Sequence, residues 1–368
     1  MPPLEIAGRC QRVRERFDQA EALLIGDLTN IRWLTGFTGS NGWVVLTPHE
    51  LVLITDGRYG DQATAQLAQA GVEGRVIVGL SGQAMLDALA DEVATYASIG
   101  FESAHVTFEQ FQRFQGVLKA TLVPVGGVVE TARRHKDAGE IARMAEACKI
   151  ADAALSEVVS IGLEGRTEAQ VRNQLEIRMR ELGAEGPSYE TIVATGPVNA
   201  ARPHHRPTDT AIEAGHTVII DVGALNDGYH SDMTRTFFVG QPTSQQLELY
   251  EIVLAAQVAG VAAVATGLST AELDAVCRDA IVSTGFGEWF SHGTGHGVGL
   301  LIHEDPFINR TGDLKLQVGD VVTVEPGVYR EGFGGIRVED LVVVTENGCR
   351  VLTASPKDSP CPPSPPTT

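Results

Sequence analysis

The chain has 368 residues, 43% of them hydrophobic, and a formal net charge of −19. This length accommodates two domains. The acidic balance speaks against nucleic acid as a partner, because a polyanion would be repelled, and no segment reaches the ~18 uninterrupted apolar residues of a membrane span. Met1-Pro2-Pro3-Leu4-Glu5 lacks the basic and apolar regions of a secretory signal. The cysteines Cys10, Cys148, Cys277, Cys349 and Cys361 are odd in number and form no CxxC pair, which predicts reduced thiols and a cytoplasmic location.

The N-terminal third alternates short apolar runs with helical patterns. Ala22–Ile25, Trp43–Leu46, Leu51–Ile54, Arg75–Val78 and Ser98–Phe101 read as strands. Helices are predicted at about 59–70 and 83–96, and Thr107 with Gln110 spells a capping box. This is an α/β domain with its own core, assigned to residues 1–132. A polar joint, Arg133-Arg134-His135-Lys136-Asp137, opens a second domain at 133–358. Its first helix is predicted at 141–161, where Ile141, Met144, Cys148, Leu155, Val158 and Val159 share a helical face. Residues 359–368 carry five prolines among small polar residues and read as a disordered tail.

The second domain repeats itself. Ala214-Gly215-His216-Thr217-Val218-Ile219-Ile220-Asp221-Val222-Gly223 is echoed by Val318-Gly319-Asp320-Val321-Val322-Thr323-Val324-Glu325-Pro326-Gly327, with Asp221 and Glu325 104 positions apart. Each copy is a turn, a β-branched strand, then a carboxylate before glycine. A second acid follows each: Asp232 in the first copy, Glu339 in the second. Upstream, Thr167 with Gln170 and Ser269 with Glu272 both spell capping boxes, and each follows an Ala-rich helix, the second at 247–266. Two related halves about a pseudo-twofold axis would gather four acids. Clustered carboxylates repel unless they protonate or a cation sits among them, so the pattern points to a metal site.

Phe290–Glu304 supplies three histidines, His292, His296 and His303, from only ten in the chain. The alternating glycines of Gly293-Thr294-Gly295-His296-Gly297 let backbone approach closely. Neither GxGxxG nor the phosphate-loop pattern fits, and Phe307 stands where a zinc helix of the HExxH type needs histidine. Three histidines beside four acids outweigh the ordinary reading of a lone structural histidine.

In this order and context, Asp221, Asp232, His296, Glu325 and Glu339 resemble the ligand set of the pita-bread dinuclear metallopeptidases. His292-Gly293-Thr294-Gly295-His296-Gly297-Val298-Gly299, Glu325-Pro326-Gly327-Val328-Tyr329 and Gly335-Ile336-Arg337-Val338-Glu339-Asp340 are similar to the aminopeptidase P and prolidase branch. Trp33–Phe37 and Thr55–Tyr59 resemble that branch's creatinase-like N-terminal domain. The resemblance implies an α/β N-terminal domain, an α+β pita-bread catalytic domain with an internal duplication, and hydrolysis of Xaa-Pro bonds by a metal-bridged hydroxide.

It also implies roles. Asp221 chelates one ion, Asp232 and Glu339 bridge two, and Glu325 and His296 complete the other. Arg337 orients Asp221. His303 steadies the scissile carbonyl, His204 reaches the proline side, and Glu325 shuttles the proton. His292, Tyr229 and Tyr329 are candidates near the substrate, Thr234 is a candidate partner for a ligand carboxylate, and His205 reads as surface. The oxygen-rich shell suits Mn²⁺, with Co²⁺, Fe²⁺ or Zn²⁺ open. The expected partners are small peptides with proline second and, as a homodimer, a second copy of the chain. A dipeptidase is favoured over an aminopeptidase acting on longer peptides. The alternatives are an inactive peptide-binding protein on the same fold and another hydrolase such as a methionine aminopeptidase.

Overall fold

The computed structural model describes residues 1–358, 360 and 361. The chain divides into two units, Pro3–Arg133 and Met1–Pro2 with Arg134–Thr368. Most of the predicted tail, 359–368, lies outside the described residues. Of the two that are described, Pro360 accepts a backbone hydrogen bond from Phe238 at 2.8 Å.

In the N-terminal unit, six strands form one sheet: β1 (Ala22–Ile25), β2 (Gly42–Leu46), β3 (Leu51–Asp56), β4 (Arg75–Gly79), β5 (Ser98–Glu102) and β6 (Thr121–Val125), in the order β4-β3-β2-β1-β5-β6. β1, β2 and β3 pair antiparallel, whereas β4, β5 and β6 join in parallel. The parallel joins need helical crossovers, supplied by α3 (Gly60–Gln69), α4 (Gly82–Glu92) and α5 (Phe108–Val117), which follow α1 (Arg9–Arg14) and α2 (Leu28–Thr35). The Thr107–Gln110 capping box starts α5, and α6 (Val128–Arg133) closes the unit.

The second unit is built twice. Its first half has α7 (Ala138–Ser160), α8 (Glu168–Glu181), β7 (Gly186–Pro187), β8 (Ile192–Thr195), α9 (Gly196–Asn199), β9 (Thr217–Asp221), β10 (Ala224–Asn226), β11 (Tyr229–His230) and β12 (Thr234–Phe238). Its second half has α10 (Ser244–Ala263), α11 (Thr270–Val282), β13 (Gly295–Gly297), β14 (Glu304–Ile308), β15 (Val321–Val324), β16 (Gly327–Arg330), β17 (Gly334–Arg337), β18 (Asp340–Thr345) and β19 (Gly348–Val351). Both capping boxes read from sequence form, at α8 and α11. A bridge joins Thr167 to Ala211 in one half and Ser269 to Lys315 in the other, so the halves repeat in tertiary contacts as well as in sequence.

α10 begins three residues earlier than predicted, because Thr243 and Gln246 form a further capping box there. It is long and apolar enough to cross a membrane by length and composition alone. Leu249, Tyr250, Val253 and Ala256 are nevertheless buried in the core of the second half, with Leu273, Ile281, Val322, Val324 and Val342. The first half has a matching core of Ile150, Leu155, Val171, Leu175, Val218, Ile220 and Val222. Each such aliphatic side chain contributes about 1.5–3 kcal/mol on burial.

The stretch 133–137, read as a polar joint, carries buried charges. Arg134 grips Asp320 with two bonds, of 2.7 and 3.2 Å, and Lys136 Nζ donates to Glu304 Oε1 at 2.6 Å. A buried pair is most costly when one partner is lost. Asp320→Ala is therefore expected to lower the unfolding free energy by about 3–5 kcal/mol, whereas an apolar replacement of both Arg134 and Asp320 recovers most of the loss. Urea denaturation monitored by circular dichroism checks this.

Candidate metal centre

The acids reach one place because strand ends from both halves converge. Asp221 closes β9, opposite Thr234 on β12 and Ile192 on β8. Asp232 sits in the turn before β12. Glu325 follows β15, its amide donating to Thr294 O at 2.8 Å. Glu339 lies between β17 and β18, its amide donating to Thr234 O at 3.2 Å. Carboxylate oxygens of Asp221, Asp232 and Glu339 lie within 4.8 Å of one another.

His296 stands on β13 between two glycines. A methyl group on Gly295 would strike Thr323 O, and one on Gly297 would strike Asp305 O. The alternation read from sequence thus serves close backbone packing, which places the imidazole. His296 Nδ1 donates to Gly297 O at 3.0 Å, leaving the Nε2 lone pair 3.5 Å from both Asp232 Oδ2 and Glu325 Oε1. Burial pushes His296 down to about 4, so it is neutral and able to coordinate.

The wall of this cavity, of about 440 Å³, contains Asp221, Asp232, His296, Glu325 and Glu339 together with His204, His292, His303 and Arg337. His303 is exposed, and its ring lies edge-on to His296 with centroids 4.4 Å apart. Burial pushes the His292 ring down to about 4, with the Arg337 cation adding to the effect. Arg337, 3% exposed, donates to Asp221 Oδ2 (2.6 Å), Thr234 Oγ1 (2.9 Å), Tyr329 OH (2.7 Å) and Pro203 O (3.0 Å). Thr234 Oγ1 in turn donates to Glu339 Oε2 at 2.7 Å.

Two tyrosines are placed differently from the substrate-side expectation. Tyr229 is buried outside the cavity wall, its hydroxyl donating to Glu140 Oε1 at 3.0 Å; β11 turns it toward α7. Tyr329 stands behind the wall, between Arg337 and His292 Nε2, the latter at 3.0 Å. His205 is also not at the surface; it is 7% exposed, because its Nε2 donates to buried Glu168 Oε2 at 2.8 Å. Tyr189, which carries no periodic or repeat signal in the sequence, lines the cavity. Its hydroxyl donates to Asp221 and, at 2.5 Å, to Asp232 Oδ1.

The donor set fits cations. Burial, reinforced by the neighbouring carboxylates, holds Asp232 and Glu339 well above the usual carboxylate range. Burial pushes Glu325 up to about 8. Among the described residues of the wall, the only amine or guanidinium facing these acids is Arg337, too little charge to balance them. Divalent cations would restore the balance. A second trio, Asp27, His105 and Glu130, sits in the N-terminal unit, where the Arg133 guanidinium is 4.0 Å from Asp27 Oδ2 and already supplies a positive charge.

Residues 142–346 match the model of metallopeptidase family M24, and residues 9–135 match the creatinase/prolidase N-terminal domain. The chain belongs to metallopeptidase family M24. It is 40% identical over 355 residues to the uncharacterized peptidase YqhT of Bacillus subtilis, covering 95% of this chain and 99% of that one. Among solved structures, an Xaa-Pro dipeptidase from Bacillus anthracis superposes with a TM-score of 0.92 at 38% identity, covering 96% and 99% of the two chains. An X-Pro aminopeptidase from Thermotoga maritima superposes with a TM-score of 0.86 at 34% identity, covering 94% and 99%. This metallopeptidase has the two-domain, duplicated fold expected from its sequence.

In the metal-free enzyme, Glu325 holds a proton in the native state that the unfolded chain has lost between about pH 4.5 and about pH 8, and the raised Asp232 and Glu339 act in the same direction. The protein's stability therefore rises as pH falls through about 8. The lowered His292 and His296 act oppositely, but only below their ordinary 6.5. The chelated protein is thus expected to melt several degrees higher at about pH 7 than at about pH 8.5, a gap that closes on adding Mn²⁺. Scanning calorimetry checks this.

Proposed function

We propose that the enzyme is an Xaa-Pro dipeptidase that hydrolyses the bond before proline in small peptides. The observation that carries this reading is the convergence of four carboxylates and one neutral imidazole on a single cavity, in a chain similar over nearly its whole length to an Xaa-Pro dipeptidase. Asp221, Asp232, His296, Glu325 and Glu339 would hold two divalent ions. Manganese suits this oxygen-rich set, and the same ligands accept cobalt, iron or zinc. When bound, the ions supply Lewis acidity and make water a nucleophile at neutral pH.

The remaining steps belong to side chains. Arg337 fixes one oxygen of Asp221 and, through Thr234, one of Glu339. Glu325 accepts the proton of the attacking water and returns it to the leaving proline nitrogen. His303 donates a hydrogen bond to the carbonyl oxygen as negative charge develops. His204 meets the proline side of the substrate, and His292 with Ile302 and Ile308 lines the pocket beside it. An Xaa-Pro amide has no N–H to grip, so recognition must rely on ring shape and on the carbonyl. We place the enzyme in the cytoplasm, where its five free thiols would stay reduced, and as the homodimer that the resemblance implies.

A second reading, aminopeptidase action on longer peptides, is favoured by one feature. Every nitrogen of the Arg337 guanidinium already has a partner, and no other guanidinium or amine lines the described wall to meet a free proline carboxylate. Comparing Ala-Pro with Ala-Pro-Ala separates the two: the dipeptide is expected to be cleaved faster, and equal or faster cleavage of the tripeptide overturns the dipeptidase reading. His303→Ala is expected to lower kcat by about 10²–10³ with metal content unchanged, measured by steady-state kinetics and elemental analysis.

A further inference from the structure

His204 reaches the cavity wall from the loop between β8 and β9, yet among the described residues its own ring makes no hydrogen bond. Its neighbours fix its place. On one side, Pro203 O accepts from Arg337 at 3.0 Å. On the other, His205 is buried against Glu168, the first residue of α8, which is 0% exposed.

Glu168 collects the loop. Its Oε1 accepts from Thr195 N at 2.8 Å and Asn199 Nδ2 at 3.1 Å. Its Oε2 accepts from His205 Nε2 at 2.8 Å, Thr208 N at 2.9 Å and Thr208 Oγ1 at 2.8 Å. A carboxylate offers roughly four lone-pair sites, so its capacity is filled by donors that span the loop. A buried carboxylate is tolerated only when so bonded, and the N-terminus of α8 adds a favourable field.

The duplication supplies an internal comparison. At the corresponding start of α11 stands Thr270, whose hydroxyl is buried without a hydrogen-bond partner. The second half holds its own pocket histidine by other means: His303 is followed by Glu304, buried on Lys136. His204 and His303 thus each precede a buried polar residue tied to an ionisable partner, and the two halves use different pairs.

We infer that Glu168 is a positioning residue: through His205 it holds the 195–208 loop so that His204 faces the substrate. This rests on the proposed role of His204 at the proline side. A double-mutant cycle tests it. Glu168→Gln is expected to raise KM for Ala-Pro roughly tenfold with kcat within about threefold of the parent, and to add less than about twofold in a His204→Ala background. Additive losses, or a fall in kcat with KM unchanged, overturn the inference. His205→Phe, which leaves the other four bonds to Glu168 in place, is expected to reproduce the KM effect; an unchanged KM overturns it also. A readout independent of turnover separates this inference from the substrate assignment. In spectra of ring-labelled histidine, the His204 signal, identified by its loss in His204→Ala, is expected to shift or broaden in Glu168→Gln. An unmoved signal refutes the positioning role even where Ala-Pro is cleaved, whereas a moved signal in a protein inert toward Ala-Pro refutes only the substrate assignment.

Discussion

Mutual repulsion among four carboxylates, two buried and two partly buried, governs the catalytic unit. Asp221, Asp232, Glu325 and Glu339 are drawn from both halves of a duplicated fold, and among the described residues Arg337 is the one guanidinium or amine lining their cavity. Burying anions at such spacing costs several kcal/mol each unless a counter-charge is present. The fold accepts that cost because metal binding reverses it: the charge that destabilises the empty site is what gives the loaded site its affinity.

The surrounding residues keep the site from relaxing. Burial works against the charge of Arg337, but Tyr329, Asp221, Glu325 and Glu339 hold it protonated. From one guanidinium it reaches Asp221, the hydroxyl bonded to Glu339, and the carbonyl beside His204. A similar arrangement lies on the other side of Glu339. Arg235 donates to Asp340 Oδ1 at 2.8 Å and to Ser355 O, and Lys357 also bonds Asp340. The segment after the last strand is thereby tied to the backbone that carries Glu339. Ligand geometry in such centres depends on these outer contacts nearly as much as on the ligands.

The parts legible in sequence were those encoded locally or twice. Strands with β-branched runs, capping boxes and the acid-ended repeat all depend on residues within a few positions of one another, so Asp221 and Glu325 could be paired before any coordinates. What escaped depends on distant partners. Arg134 and Lys136 read only as part of a polar joint because their counter-ions, Asp320 and Glu304, lie far along the chain. His205 read as surface because nothing near it announces Glu168. Tyr189 lies just past the two-residue strand β7 and carries no signal until the fold brings Asp221 and Asp232 to its hydroxyl. Tyr229 sits near Asp232 in sequence, but its hydroxyl bonds Glu140 of α7, outside the cavity wall.

The central claim is that Asp221, Asp232, His296, Glu325 and Glu339 hold a pair of ions. Anomalous diffraction from crystals grown with Mn²⁺ tests it most directly. The account requires two peaks in the cavity, one contacted by Asp221, the other by Glu325 and His296, with Asp232 and Glu339 touching both. A single peak, or manganese bound away from these carboxylates, would contradict it.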